Sequence, residues 1–169
     1  INCIDYKTKK ITRFYPKSIN KECTTNIINR LLKHSDGNVY AFCNRSVFKC
    51  SMNQTVETVF PDIAIPSPTY SVAQAPDKDI YIGTESNGLY IYSENWKLKK
   101  HVPIDGIIAT ILPDNNGDIW LGLDETGICL FNKNKQTFTW LHKDNTNLNN
   151  NSIRTFVPYG DSSILVGTF

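Results

Sequence analysis

One short motif returns about every forty residues, and this repetition restricts the fold more than any other feature of the chain. The four copies are, in chain order, NVYAFC (38–43), DIYIGT (79–84), DIWLGL (118–123) and SILVGT (163–168). Their third position holds Tyr40, Tyr81, Trp120 and Leu165. A fixed period of about 40–50 residues with strand-like content is typical of the blades of a β-propeller.

Each copy sits inside a longer unit of four segments. An apolar segment such as 108–112 precedes the motif, and turn residues such as Asp-Asn-Asn-Gly at 114–117 join the two. Asn-Gly and Asp-Gly pairs accept positive φ at little cost and so favour tight hairpins. Behind the motif come a second apolar segment, such as GICLF at 127–131, and an alternating run, such as QTFTWL at 136–141. Each unit therefore predicts four short strands, a to d, in one antiparallel sheet.

The pattern within the strands predicts how these sheets are buried. In the segment IYIG, Ile80 and Ile82 lie on one face and Tyr81 on the other, and all three are large and apolar. A sheet with one solvated face alternates apolar and polar residues, so this pattern predicts inner strands packed between two neighbouring sheets. The last strand of the same unit alternates instead, with Lys97 and Lys99 in the positions typical of an outer edge.

We therefore predict an all-β protein of β-propeller blades, each a four-stranded antiparallel sheet, in place of an ordinary two-sheet sandwich. The chain holds about four blades' worth of residues: strands c and d of one blade (1–14), three whole blades (27–60, 70–102 and 107–141), and strands a and b of another (152–169). A ring of four could close if the two halves join. We favour a larger ring, whose open ends would make this stretch self-associate.

Composition and motifs exclude several functions. The net charge of +2 with scattered lysines disfavours nucleic-acid binding, and no apolar stretch approaches the roughly 20 residues of a membrane-spanning helix. The five cysteines form no CxxC pair, the three histidines lack a second ligand at metal spacing, and no catalytic motif is present. We therefore predict no catalytic residue, no metal site and no cofactor.

Polar loops remain as the candidate site. In a propeller the b–c and d–a connections lie on one face, where side chains from several blades converge. Amides, hydroxyls and carboxylates beside an aromatic ring suit hydroxyl-rich ligands such as sugars, although the same residues are ordinary turn formers. The candidate ligand-binding residues are Glu85, Ser86, Asn87, Asp124, Glu125, Thr126 and Trp140.

These repeats resemble the two-component-regulator propeller repeat, whose usual form is an apolar strand, D-x-x-G-x-[IL]-W-[IL]-G-T, x-x-G-[IL], an aromatic residue and D/N-x-x-T. The third unit matches at Asp114, Gly117, Ile119, Trp120, Leu121, Gly122, Gly127, Ile128, Phe131 and Asn132. The second unit matches at Ile80, Tyr81, Ile82, Gly83, Thr84, Gly88 and Leu89, and the opening segment at Asp5 and Thr8. The copy at 38–50 lacks both glycines.

The resemblance implies a periplasmic sensor region of a hybrid two-component system. In such proteins two seven-bladed propellers and a small β-sandwich precede a transmembrane helix, a histidine kinase and a response-regulator module. It further implies a glycan-derived oligosaccharide as ligand, contacts with other domains of the same polypeptide, and possible pairing with a second subunit as a dimer.

Two other functions stay open at this point. The first is a propeller scaffold that binds a protein partner through its loop face and takes no small ligand. The second is a propeller lyase or hydrolase, which would need acid and base residues converging on the axis. For these the sequence offers Glu85, Asp124 and Glu125.

Overall fold

A computed structural model describes residues 1–13, 27–43, 46–50, 56–59, 65 and 67–169, with the backbone alone described at 56–59. Contacts divide the chain into two compact units, Ile1–Pro66 and Ser67–Phe169. Phe14 and Phe60, which end two of the predicted segments, lie outside the described residues, as does Cys23. In the described part of the chain, no helix is long and apolar enough to cross a membrane.

The first unit contains a hairpin and a four-stranded sheet. Its strands are β1 (Asn2–Ile4), β2 (Ile11–Arg13), β3 (Arg30–Lys33), β4 (Val39–Phe42), β5 (Val47–Cys50) and β6 (Val56–Val59). Strands β1 and β2 pair as the first hairpin, and β3 to β6 form the first sheet in chain order. Ala41, Cys43, Phe48 and Cys50 form its buried apolar cluster.

The second unit contains two four-stranded sheets and a hairpin. Strands β7 (Thr69–Gln74), β8 (Ile80–Thr84), β9 (Leu89–Tyr92) and β10 (Leu98–Val102) form the second sheet. The third sheet consists of β11 (Ile108–Pro113), β12 (Asp118–Leu123), β13 (Gly127–Asn132) and β14 (Thr137–Leu141). The last hairpin pairs β15 (Ile153–Tyr159) with β16 (Ser163–Thr168). The predicted all-β fold of four-stranded antiparallel sheets is therefore confirmed.

The inner strands of the second sheet are buried on both faces, as the doubly apolar pattern predicts. Every residue of β8 and β9 is buried, and Tyr81 is fully so. The outer strand β10 is exposed except at Val102. Trp96 differs from the predicted alternation, because it lies in the β9–β10 turn with a φ of 61° and is buried there.

Facing sides of the second and third sheets share one apolar core. From the second sheet come Tyr81, Leu89, Ile91 and Val102; from the third come Ile119, Leu121, Leu123, Cys129 and Phe131. The opposite face of the third sheet packs on the last hairpin, where Ile128 meets Ile153 and Phe156 and the half-buried Trp120 lies against them. Burial of each such large side chain contributes roughly 1.5–3 kcal/mol, so stacking of sheet on sheet is the main source of stability.

The repeated glycine of the motif lets neighbouring sheets approach closely. A Cβ placed on Gly83 would lie 2.6 Å from Cγ2 of Ile108, and one placed on Gly122 would lie 2.6 Å from Cγ2 of Ile153. Real Cβ atoms do not come this close to a carbon, so a larger residue would force the sheets apart. The glycine is therefore a packing requirement between one sheet and the first strand of the next.

A β-bulge accompanies this glycine. The register shifts between Thr69 and Ser71, between Ile108 and Thr110, and between Ile153 and Thr155, so one residue of each first strand lies outside the regular pairing. These bulged residues are Tyr70, Ala109 and Arg154. Strands β3 and β4 pair without such a shift, and their copy of the motif has the buried Phe42 in place of the glycine.

In the third sheet, Asp114 holds the turn before the motif and the motif tryptophan together. The carboxylate of Asp114 accepts hydrogen bonds from the backbone N–H groups of Asn116 and Asp118 and from Nε1 of Trp120, at 2.8, 3.0 and 3.1 Å. Gly117 allows the turn through its φ of 85°. One side chain therefore holds both the hairpin turn and the indole of the next strand.

Four charged residues join the second and third sheets at the edge that carries this type of turn. Asp79 is buried, and its carboxylate pairs with Nζ of Lys99 at 2.5 Å and with Nζ of Lys133 at 2.6 Å. Lys133, from the third sheet, also pairs with Asp77. The buried carboxylate therefore has a cation from each sheet, which satisfies the usual requirement for burying charge.

The shared glycine contact predicts a stability loss for Gly83→Ala. We expect a loss of about 1–3 kcal/mol in the free energy of unfolding, because the new methyl group would overlap Ile108. Urea unfolding of Gly83→Ala, Ile108→Ala and the double variant measures the coupling. The double variant should lose somewhat less stability than the sum of the single losses, since Ile108→Ala removes Cγ2 as one opposing atom, while Cβ of residue 108 and Oγ of Ser71 still oppose the new methyl group.

Gly167→Ala is the matched control. Its Cβ would meet Thr155 alone within 3.5 Å among the described residues, so a smaller loss is expected. Strict additivity of the losses at Gly83 and Ile108 would contradict the steric explanation.

The charged cluster of Asp77, Asp79, Lys99 and Lys133 predicts that the free energy of unfolding falls at both low and high pH. Partial burial raises the pKa of Asp77, but the hydrogen bonds from Lys133 and from the backbone of Asp79, together with the charges of Lys133 and Lys99, outweigh this, and the pKa lies below its ordinary value. Burial likewise lowers the pKa of Lys133, but its hydrogen bonds to Asp77 and Asp79 outweigh this and raise it. The stabilisation from Asp77 is thus present above its unfolded pKa of about 3.9, and is lost as the pH falls through the folded value. That from Lys133 is present below its unfolded pKa of about 10.4, and is lost as the pH rises through the folded value.

Lys133→Met should therefore cost roughly 1–3 kcal/mol at pH 7 and less at pH 2, because the stabilisation from Asp77 is lost as the pH falls through its lowered pKa. Urea midpoints of both proteins at the two pH values provide the measurement. A cost that does not change with pH would show that the lysine acts through packing rather than charge.

Candidate functional site

The b–c and d–a connections of the second unit meet along one edge, which we call the loop edge. It comprises the β8–β9 loop (85–87), the β12–β13 loop (124–126) and the segments that enter β7, β11 and β15 (67–68, 103–107 and 142–152). Backbone hydrogen bonds join these parts: Gly127 N–H donates to the carbonyl of Asn151 at 2.7 Å. Six of the seven candidate ligand-binding residues therefore lie on this edge.

All the b–c loops of this unit begin with the same hydrogen bond. The N–H of Glu85 donates to the carbonyl of Pro68 at 3.0 Å, and the N–H of Asp124 to that of Ile107 at 3.0 Å. Phe169 follows β16 at the equivalent place, and its N–H donates to the carbonyl of Ser152 at 3.2 Å. Glu85, Asp124 and Phe169 thus occupy equivalent positions.

In the β8–β9 loop, Ser86 and Asn87 are held by local hydrogen bonds. The N–H of Ser86 donates to Oγ of Ser67 at 3.2 Å. The side-chain amide of Asn87 donates to the hydroxyl of Tyr90 at 2.6 Å, while His101 stacks on Tyr90 with ring centroids 4.4 Å apart. These partners stiffen the loop and leave its first residue, Glu85, half-buried with a carboxylate that no described lysine, arginine or histidine pairs with.

In the β12–β13 loop, the three candidate residues also have partners. The carboxylate of Asp124 pairs with Arg154 at 3.1 Å. Glu125 has a φ of 64°, and its N–H donates to Oγ of Ser152 at 3.2 Å. The hydroxyl of Thr126 donates to the carbonyl of Asp124 at 3.3 Å. This loop therefore bonds to the segment that leads into the last hairpin.

Arg154 lies in β15 beside the loop edge, and the sequence analysis missed it. It is the bulged residue of β15, and its guanidinium lies 4.0 Å above the ring of Phe169 as well as beside Asp124. A lone arginine in an apolar strand is an uninformative pattern. The signal that could have found it is its alignment with Tyr70 and Ala109, one residue into each first strand.

Trp140 lies apart from the other candidates. It is on β14, the outermost strand of the third sheet, paired with Cys129 of β13 and 37% exposed. Its carbonyl accepts a hydrogen bond from the side-chain amide of Asn145 at 2.9 Å. The structure therefore places this aromatic ring at the outer rim, whereas the loop residues follow the second strand of each sheet.

The described residues contain no candidate metal site. No group of three or more histidine, cysteine, aspartate or glutamate side chains there could hold a metal ion. The buried Cys129 is surrounded by apolar side chains, and this burial raises the pKa of its thiol to about 12. A thiol with so high a pKa is a poor nucleophile and belongs to the core.

The two loops predict different responses to loss of a carboxylate. Asp124→Asn should lower the free energy of unfolding by up to about 1 kcal/mol, because it weakens a half-exposed ion pair between the third sheet and the last hairpin. Glu85→Gln should change it by less than about 0.5 kcal/mol. Urea unfolding at low and high salt measures both. Arg154→Met should cost at least as much as Asp124→Asn, because it also removes the contact of the guanidinium with the ring of Phe169. Equal losses at Glu85 and Asp124 would contradict the assigned ion pair.

No protein-family model and no curated protein matches this chain. Solved structures do match. A structure described as the extracellular domain of the one component system BT4673 from B. thetaiotaomicron aligns with a TM-score of 0.79 and 18% identity, over 99% of this chain and 23% of that one. The extracellular domain described for the hybrid two component system BT3049, also from B. thetaiotaomicron, gives 0.75 and 24%, over 99% and 23%.

Enzymes match as well. Virginiamycin B lyase from Staphylococcus aureus aligns with a TM-score of 0.71 and 16% identity, over 98% of this chain and 55% of the enzyme. The chain thus spans about a quarter of the two extracellular domains and about half of the lyase. At these identities the likeness establishes the fold, and the sheets of this chain have the fold of the blades in propeller-type extracellular domains of two-component systems.

Proposed function

We propose that this chain is part of the extracytoplasmic sensor region of a hybrid two-component signalling protein and that it binds an oligosaccharide at its loop edge. The observation that carries the proposal is the structural agreement of nearly the whole chain with extracellular domains described for hybrid two component systems. The repeat resemblance noted in the sequence points to the same class. The periplasm is the proposed location.

The chemistry of the loop edge supports a sugar ligand. Glu85 offers carboxylate oxygens, and Ser86 and Thr126 are exposed and carry hydroxyl groups. Sugar hydroxyls both donate and accept hydrogen bonds, so side chains of these kinds on a stiffened loop can orient a glycan. Trp140 lies apart from these residues, so in this proposal it contacts the far end of a longer oligosaccharide.

The proposed role needs contacts beyond the ligand. A sensor transmits binding to other domains of its own polypeptide, and a second subunit would receive the signal in a dimer. The fold supplies rigid sheets for this purpose, since they are joined by apolar cores and by the Asp79 ion cluster. We propose no catalytic residue, no metal and no cofactor for this part of the protein.

A protein-binding scaffold is the second candidate, and one observation favours it. The last hairpin exposes large apolar side chains on the side away from the third sheet: Val157, Tyr159 and Leu165 are 51%, 65% and 55% exposed. The equivalent face of the second sheet is covered by the third sheet, so a face of this kind suits either another sheet or a protein partner. In this role the loop edge would hold no sugar.

Titration calorimetry against neutral, acidic and amino oligosaccharides separates the two candidates. We expect saturable binding of at least one oligosaccharide, and a loss of binding of about tenfold or more for Glu85→Ala or Ser86→Ala with unchanged unfolding curves. Glu94→Gln is the matched control, because Glu94 pairs with Lys78 at 3.1 Å in the β9–β10 turn, at the opposite edge. No measurable binding of any oligosaccharide in the panel would favour the protein-binding scaffold.

A further inference from the structure

Two junctions in the second unit share the same contacts: the one between the second and third sheets, and the one between the third sheet and the last hairpin. At both junctions, an isoleucine begins the first strand of the later element. Its Cγ2 lies 2.6 Å from the place where a Cβ would stand on the motif glycine of the earlier sheet. The bulge follows this isoleucine at once in both, after Ile108 and after Ile153. The two junctions are therefore geometric copies of each other.

Equivalent positions at the two junctions carry different side chains. At the later junction, the bulged residue is Arg154 and the first loop residue of the earlier sheet is Asp124, and these two form an ion pair at 3.1 Å. At the earlier junction, the bulged residue is Ala109 and the first loop residue is Glu85. Ala109 therefore has the same register relative to Glu85 as Arg154 has relative to Asp124, although Ala109 is buried and Arg154 is exposed.

The alanine leaves the Glu85 carboxylate without the partner that its counterpart has. A methyl group donates no hydrogen bond, and none of the described lysine, arginine or histidine residues pairs with Glu85. The backbone of Glu85 is held as firmly as that of Asp124, by a 3.0 Å bond to the residue before the first strand. The carboxylate is half-buried, and a charged hydrogen bond there is stronger than in open water.

We propose that Glu85 recognises a cationic nitrogen of the ligand, which takes the position that the Arg154 guanidinium has at the next junction. This inference rests on the proposed function, and it narrows the ligand to an oligosaccharide with free amino groups. An ammonium group would form an ion pair with the carboxylate, as the guanidinium does with Asp124. An N-acetylated sugar lacks this charge.

Calorimetry with glucosamine tetrasaccharide tests the inference, with the N-acetylated tetrasaccharide and a neutral glucose tetrasaccharide as comparisons. The amino sugar should bind at least about tenfold more tightly than either, and its affinity should fall with added salt. Glu85→Gln should remove that preference, whereas Glu94→Gln should keep it. Equal binding of all three sugars would overturn this inference and leave the proposed function standing; no binding by any would count against both.

Ala109→Arg provides an independent test from the other side of the junction. The new guanidinium should pair with Glu85 and weaken binding of the amino tetrasaccharide about tenfold or more, without an added loss when Glu85→Gln is also present. Circular dichroism shows whether the variant folds. If Ala109→Arg does not fold, the same binding measurement is made with Ala109→Lys, and its result is judged together with that of Glu85→Gln. A folded Ala109→Arg protein with unchanged binding would overturn the assignment of the position.

Discussion

The close approach of an isoleucine to a glycine is the contact on which the arrangement of the second unit depends. It sets the distance between one sheet and the first strand of the next at Gly83 and again at Gly122. With that distance fixed, the apolar faces interlock and the charged residues Asp79 and Lys133 come within bonding reach. The same spacing brings each b–c loop beside the segment that enters a first strand, and so forms the loop edge.

The elements of the fold are predictable from sequence because each repeats a local physical rule. The doubly apolar IYIG segment predicts a strand buried on both faces, and β8 is buried throughout. Lysines on the fourth strand predict an exposed edge, and β10 is exposed as far as Val102. Asp114 and Gly117 predict a hairpin turn, since one supplies acceptors for the turn N–H groups and the other its positive φ.

Features that depend on three-dimensional neighbours were not predictable. The alternation of Trp96, Lys97, Leu98 and Lys99 suggests that the tryptophan belongs to the fourth strand. It lies in the turn instead, because its backbone has a positive φ that tryptophan rarely adopts. The pairing of Asp124 with Arg154 joins residues of different sheets and needs a bulge to aim the arginine. Trp140 is close to the loops in sequence, but strand order separates it from them because β14 is the fourth strand.

The bulge also has an evolutionary consequence. Residues in a regular ladder are constrained by their cross-strand neighbours, but the bulged residue has no such neighbour, and at Arg154 it lies beside the Asp124 loop of the preceding sheet. The three bulged positions of this chain hold a tyrosine, an alanine and an arginine, which differ in size and charge. A repeat protein built in this way can change what it recognises one sheet at a time, while the glycine contact that holds the sheets together is left untouched.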